Sequence, residues 1–312
     1  MAAPIKAPTA ATTEIDLEGL QRSLRRPRTL FSYVMSLLTG AATIAALVPL
    51  FSVLYLLVVR GSAGLRLATL RGLPPAAMTA GGGIGNAIVG TFVIVAIATL
   101  LSVPFGILGA IYITEFGPNT RTASAVRFAA KVLTGLPSIL AGVFAFAVIV
   151  TTTGKFSAPA GGAALALLML PTVLLTAEEA IKRVPSRMRE AAIGMGATPT
   201  QVVTKVIVPT GAPAMLTGVM LAVARAAGET APLLFTALFS NFWMSRTAPT
   251  FLPKTLGDLM KPTASLAVMI YNFSGSPFEN QIAMAWTAAL VLVSIVLIFN
   301  VAGQALAGRS AD

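Results

Sequence analysis

The chain has 312 residues, of which 56% are hydrophobic and 11% charged, with a formal net charge of +11. A soluble domain is about a quarter charged, so a chain this long and this apolar cannot hide its surface in one water-soluble core, and the bilayer is its solvent. With no cysteine and no histidine, disulfide staples, Cys/His zinc sites and His-dependent catalytic triads are excluded. The basic residues fall in loops between apolar runs, a pattern that signals membrane topology rather than nucleic-acid binding.

In chain order, residues 1–29 are expected to form a cytoplasmic tail rich in Ala, Pro and Thr. Leu17, Leu20 and Leu24 have helical spacing, so this tail reads either as a disordered arm or as carrying a short interfacial helix. The first apolar run starts at Leu30 and is too long for a secretory signal. Six runs are each long enough to span a hydrocarbon core of about 30 Å: Leu30–Val59, Ile84–Ile113, Val126–Thr151, Gly162–Ile181, Ala212–Leu238 and Ile282–Gly303. An all-α membrane protein with six spans over residues 30–303 and a short tail, 304–312, follows.

Prolines 49, 104, 137, 171, 213 and 232 lie inside these runs and predict kinks, which neighbouring helices tolerate in membranes. With both termini cytoplasmic, and with Arg127 and Lys131 at the inner end of the third run counted inside, 14 lysines and arginines lie inside against 7 outside, of 22 in all, Arg225 being left deep within a span. That bias predicts a cell-membrane protein with both ends inside.

The inside loop between the fourth and fifth spans, residues 182–210, reads as two short helices with a break. Pro185 opens the first, its fixed φ suiting a first turn. Gly196 ends it in the left-handed region. Thr198 caps the second, with Pro199 in its first position and Gln201 completing a capping box. Ala191, Ala192 and Met195 form a short apolar face suited to a groove on another protein; the alternative is an ordinary amphipathic connector.

Span five contains Arg225-Ala226-Ala227-Gly228-Glu229. Counted from Ala212, Arg225 falls about 20 Å into the helix, where a charge costs on the order of 3 kcal/mol. Glu229, four residues on, shares its helix face. The pair is either an internal staple or the polar lining of a path, in which the planar guanidinium would suit an oxyanion. Gly228 would allow a close approach beside it. Lys131 reads as a snorkelling anchor or as a residue beside the same path.

Other features read as bland. Gly81-Gly82-Gly83-Ile84-Gly85 lacks the strand and lysine of a phosphate-binding loop and reads as a flexible entry to span two. Gly154-Lys155 is followed by Phe156 and is no nucleotide site. Trp243, Tyr271, Phe273 and Phe278 in the loop from Asn241 to Gln281 read as interfacial anchors.

The run Glu190-Ala191-Ala192, then Gly196 and, nine residues on, Val206-Ile207-Val208-Pro209 resembles the signature of permease subunits of binding-protein-dependent ABC importers. Valines occupy the slots where Ile and Leu are usual. The stretch from Arg225 to Phe235, together with Val103–Ile107, Gly135–Ile139 and Glu178–Ala180, resembles the phosphate permeases. Its Ala-Pro-Leu-Leu ending is closer to the A-type than to the C-type subunit.

The resemblance implies a type I ABC importer permease fold. It makes Glu190, Ala191, Ala192, Gly196 and Pro209 part of a coupling loop seated on an ATPase. It implies a C-type permease partner, two ATPase subunits that bind ATP and Mg, and an external phosphate-binding protein docked on the outer loops. This chain itself would hold no cofactor, no metal and no catalytic residue. Permeases for sulfate, molybdate or another small solute, and an ion-coupled secondary transporter using Arg225 and Glu229, are the alternatives. A membrane-embedded enzyme is disfavoured by the missing His and Cys.

Overall fold

The structure, a computed structural model, describes residues 27–245, 253 and 255–309. The expected N-terminal arm with Leu17, Leu20 and Leu24 lies outside the described residues. Among the described residues there is no strand. Among these residues five helices are long and apolar enough to cross a membrane, or six if a bent pair counts as one span.

Helix α1 (Pro27–Ala63) is apolar over most of its length and carries Pro49 inside it. As far as Tyr55 it belongs to a unit of its own. There the side chains from Leu30 onward are exposed, and the hydroxyls of Thr39 and Thr43 donate to the carbonyls of Met35 and Thr39 at 2.7 and 2.8 Å.

The second unit starts at Leu56. It holds a short α2 (Leu67–Arg71), α3 (Gly85–Phe116), α4 (Arg121–Thr134), α5 (Ser138–Thr153), α6 (Ala158–Lys182), α7 (Ser186–Gly194) and α8 (Pro199–Ala227). After these come α9 (Ala231–Thr236), α10 (Leu256–Leu259), α11 (Leu266–Ser274) and α12 (Glu279–Arg309).

Its core is built on α3, α6 and α8. Val93, Ile94 and Ala98 of α3 pack with Leu165, Met169 and Val173 of α6 and with Val219, Ala222 and Ala226 of α8. Small residues set how closely these helices approach, as in membrane bundles generally. A Cβ placed on Gly162 would lie 2.5 Å from Ile97 Cγ2. A second cluster, from Ile84 and Ala87 to Met269, Ala285 and Ala288, packs α11 and α12 onto the start of α3.

Three π-turns interrupt the described helices, at Tyr112–Phe116, Phe146–Val150 and Val203–Ile207. Each adds a residue to the turn and redirects the helix locally.

Several expectations change. The third run is not one straight span: α4 and α5 meet at 106° across Gly135-Leu136-Pro137. Proline is the physical reason: it disfavours a helical residue before it, and Pro137 itself, at ψ 131°, stands outside the helix that starts at Ser138. The last run continues as helix past Gly303 to Arg309, so much of the expected C-terminal tail is helical. The glycines before α3 are not a loose entry. Gly81 and Gly82 have positive φ, and the amides of Gly83, Ile84 and Gly85 donate to Leu73, Thr69 and Gly72 at 2.6–2.9 Å. Of the aromatic anchors, Phe273 is buried, 5.9 Å from Phe239, while Tyr271 is exposed.

Candidate functional site

Two charged regions stand apart from the apolar bundle. The first surrounds α7. Pro185 caps this helix with φ −59° and ψ 137° and Ser186 is its first residue, so proline sits one position earlier than expected. Gly196 has φ +85°, a conformation that glycine adopts without penalty, and its amide donates to the Ile193 carbonyl at 2.9 Å. The capping box forms as expected: the Gln201 amide donates to Thr198 Oγ1 at 3.3 Å, and the Thr198 amide to Gln201 Oε1 at 2.9 Å.

The second helix of this loop is not short. From Pro199 it runs through the π-turn and past Pro209 to Ala227 without a break. The π-turn shifts the hydrogen-bonding register where Pro209 lacks a donor, so the helix passes the proline.

Glu190, Ala191, Met195, Gly196 and Pro209 are exposed. Ala192 is not: it is 4% exposed and packs with Ala177, Ile181, Val184 and Val202. The apolar face expected from Ala191, Ala192 and Met195 is therefore divided. Ala192 fixes α7 to the bundle, and Met195 projects outward with Ile193 and Met188.

Five charged side chains, none of them singled out from the sequence as site residues, cluster beside α7: Arg127 of α4 and Lys182 meet on Glu178 of α6, and Arg189 of α7 meets Glu115 of α3. Arg127 of α4 donates from Nε to Glu178 Oε1 at 2.6 Å, from Nη2 to the Ile113 carbonyl at 2.7 Å, and from Nη1 to the Pro118 carbonyl at 3.1 Å. Lys182 Nζ reaches the same Glu178 oxygen at 2.6 Å. Arg189 of α7 lies 2.8 Å from Glu115 Oε1 through Nη1 and donates through Nη2 to the Ile181 carbonyl at 2.9 Å. The Arg189–Glu115 contact is ionic without good hydrogen-bond alignment: Glu115 Oε1 and Arg189 Nε are buried and have no hydrogen-bond partner among the described residues. An i,i+4 reading of α6 could have found Glu178–Lys182. Arg127 is 51 positions from Glu178, and no local pattern links them.

The second region holds Arg225 and Glu229. Arg225 lies in the last turn of α8, not midway along it, because the helix ends at Ala227 and a separate helix starts at Ala231, where one run to Leu238 was expected. Glu229 lies beyond the helix, after Gly228 at its C-terminal cap. The two still meet, Nε to Oε1 at 3.7 Å, too far for a hydrogen bond. The Arg225 side chain is 60% exposed and that of Glu229 19%. A narrow crevice beside them is lined by Leu168, Met169 and Thr172 of α6. No other segment among the described residues approaches Gly228, whose nearest neighbour would be the Arg225 carbonyl. Lys131 is exposed in the last turn of α4 and has no described contact with either region.

An apolar, all-helical bundle with an exposed two-helix loop defines a membrane permease component, and comparison with known proteins agrees. The chain belongs to the family of binding-protein-dependent transport system inner membrane components, whose model matches residues 102–311.

Its relatives within that family are phosphate transport system permease proteins PstA. It is 35% identical over 286 residues to the one from Yersinia pestis, covering 92% of both chains. To the probable PstA of Methanocaldococcus jannaschii it is 37% identical over 263 residues, covering 83% of this chain and 88% of the relative. Solved importers share the fold. A bacterial alginate ABC transporter, in complex with an alginate-bound periplasmic protein, aligns with TM-score 0.62 at 13% identity, covering 93% of this chain and 99% of that one. The MetNI methionine ABC transporter in an inward-facing conformation aligns with TM-score 0.54 at 19% identity, covering 74% and 95%.

Proposed function

We propose that this chain is the membrane-spanning permease subunit of an ATP-driven phosphate importer. The observation that carries the reading is the 33–37% identity to PstA proteins over most of the chain. In the same proposal the chain pairs with a C-type permease, sits on two ATPase subunits that bind ATP and Mg, and receives phosphate from an external binding protein. It supplies no catalytic residue, cofactor or metal site of its own and binds no nucleic acid. Both termini are cytoplasmic, which puts α7 on the ATPase side.

The loop is the coupling element. Its capping box and the buried Ala192 hold it ready, and exposed Glu190, Ala191, Met195 and Gly196 form the surface the ATPase takes. Helix α8 is the lever. Its 29 residues span about 40 Å at 1.5 Å per residue, so a push at Pro199 is carried through Pro209 to Arg225 at the other end. Arg225 then acts on phosphate with a planar, two-pronged donor, and Glu229 holds it by charge rather than by a hydrogen bond. Lys131, exposed on α4, is an anchor at the membrane surface.

The test is ATP hydrolysis by the purified complex carrying its binding protein. Phosphate should stimulate it, and sulfate and molybdate should not. Stimulation by sulfate or molybdate alone would replace the substrate, and uptake with no ATPase in the complex would replace the class. Orientation is read separately, since the chain has no native cysteine. Ser157 is a poor reporter because it is 1% exposed and caps α6. Met78, 86% exposed, is a good one. Met78→Cys should label from outside intact cells and Ser186→Cys only after permeabilisation; the reverse pattern would invert the topology.

A further inference from the structure

Beside α7 the bundle opens into a cavity of about 320 Å³. Its polar lining is Thr114, Arg127, Lys182, Ser186 and Arg189. Three of these are cations, and no carboxylate is among the lining residues. Glu178 and Glu115 lie behind the cations, with side chains 5% and 12% exposed. Across the five charged groups, three positive charges meet two negative ones, and the positive side faces the opening.

We propose that this cavity binds a phosphate group, either the phosphodiester of an anionic lipid or free inorganic phosphate. Its cations are held ready for an anion. Arg127 is fixed by three hydrogen bonds, to Glu178, Ile113 and Pro118, so its orientation is set before any ligand arrives. Lys182 is 55% exposed and can turn its ammonium toward the opening. Arg189 is 26% exposed and meets Glu115 through Nη1 by an ionic contact without hydrogen-bond alignment, so its planar guanidinium can be drawn to a tetrahedral oxyanion.

Ser186 adds a hydroxyl, and as the first residue of α7 it also brings the positive end of that helix to the opening. Basic pockets between membrane helices take lipid phosphates on the same chemistry.

Occupancy would bear on α7. A phosphate drawn to Arg189 competes with Glu115 for the same guanidinium, and that contact is one of those holding α7 to α3. The site belongs to this chain whatever solute its channel carries, so it stands or falls separately from the transport reading.

The experiment uses the assembled complex in a maltoside detergent free of phosphorus, with Ser186→Cys as the sole cysteine of this chain. The rate at which a neutral maleimide modifies this chain is followed by mass. Addition of inorganic phosphate, or of a short-chain phosphatidylglycerol, should slow modification, while chloride should not. Protection by inorganic phosphate assigns the free anion; protection by the lipid alone assigns the headgroup. Lys182→Gln removes one charged contact from an exposed position, and the ligand concentration needed for protection should rise about tenfold. Equal modification rates with and without both ligands would overturn the site. So would protection unchanged in Lys182→Gln and in an Arg189→Gln variant that assembles normally.

Discussion

The two charged regions are built in opposite ways. Around α7, the Glu178 carboxylate is 5% exposed and takes Arg127 and Lys182 at 2.6 Å each. Arg127 is further tied to two backbone carbonyls. At the end of α8, Arg225 is 60% exposed and stands 3.7 Å from Glu229. A buried carboxylate surrounded by short bonds is committed to holding helices together. A charge left exposed with one loose partner adds little to stability and stays available to a ligand or a neighbouring subunit. By that contrast the buried Glu178 carboxylate is structural, and Arg225 is the charge left free for a function of the kind proposed above.

The sharpest way to break the contrast is at Glu178. Glu178→Ala leaves Arg127 and Lys182 facing each other beside the bundle, and removal of one member of a buried pair costs on the order of 3 kcal/mol. Thermal unfolding of the complex in detergent should show a large loss, with little complex recovered from membranes. Normal recovery and unchanged melting would mean that these bonds contribute nothing and that the contrast fails on its structural side.

A smaller structural effect is expected at Gly196. No other atom lies within 4 Å of where its Cβ would be, so Gly196→Asp meets no clash and carries only the left-handed backbone cost of about 1 kcal/mol. Insertion should therefore be preserved while the ATPase is uncoupled or lost. Substrate-stimulated hydrolysis at the wild-type rate in this variant would remove α7 from the coupling surface.

Much of the bundle was legible as apolar runs, because a helix that faces lipid must be hydrophobic over about 20 residues. The same criterion blurred the third run. A window laid across Gly135-Leu136-Pro137 averages the mixed surface of α4, which carries Arg121, Arg127 and Lys131, with the apolar α5, and the 106° turn vanishes into one segment. The capping box at Thr198 and the left-handed Gly196 were readable because both are local and rest on residues three or fewer positions apart.

The position of Arg225 along its helix was not legible, for the same reason that blurred the third run. The apolar run continues from Ala212 to Leu238, and only the break at Gly228–Thr230, with Pro232 opening a new helix, puts Arg225 in the last turn of α8. The Arg127–Glu178 ion pair was invisible because the two meet only once α4 and α6 pack. Ala192 was placed on a free face because its burial depends on Ile181, Val184 and Val202, not on its neighbours in sequence.

The functional side of the contrast rests on Arg225, and one measurement tests it most directly: uptake of labelled phosphate by membrane vesicles, normalised to the amount of assembled complex. The Arg225→Ala/Glu229→Ala double variant removes both charges together and should assemble with a stability change within about 1 kcal/mol. Arg225→Lys keeps the charge and loses the planar fork. Both variants should assemble as the wild type does and take up phosphate at about a tenth of its rate or less, the loss of one charge-assisted contact. Full uptake by the double variant would make the pair a dispensable staple and contradict the account.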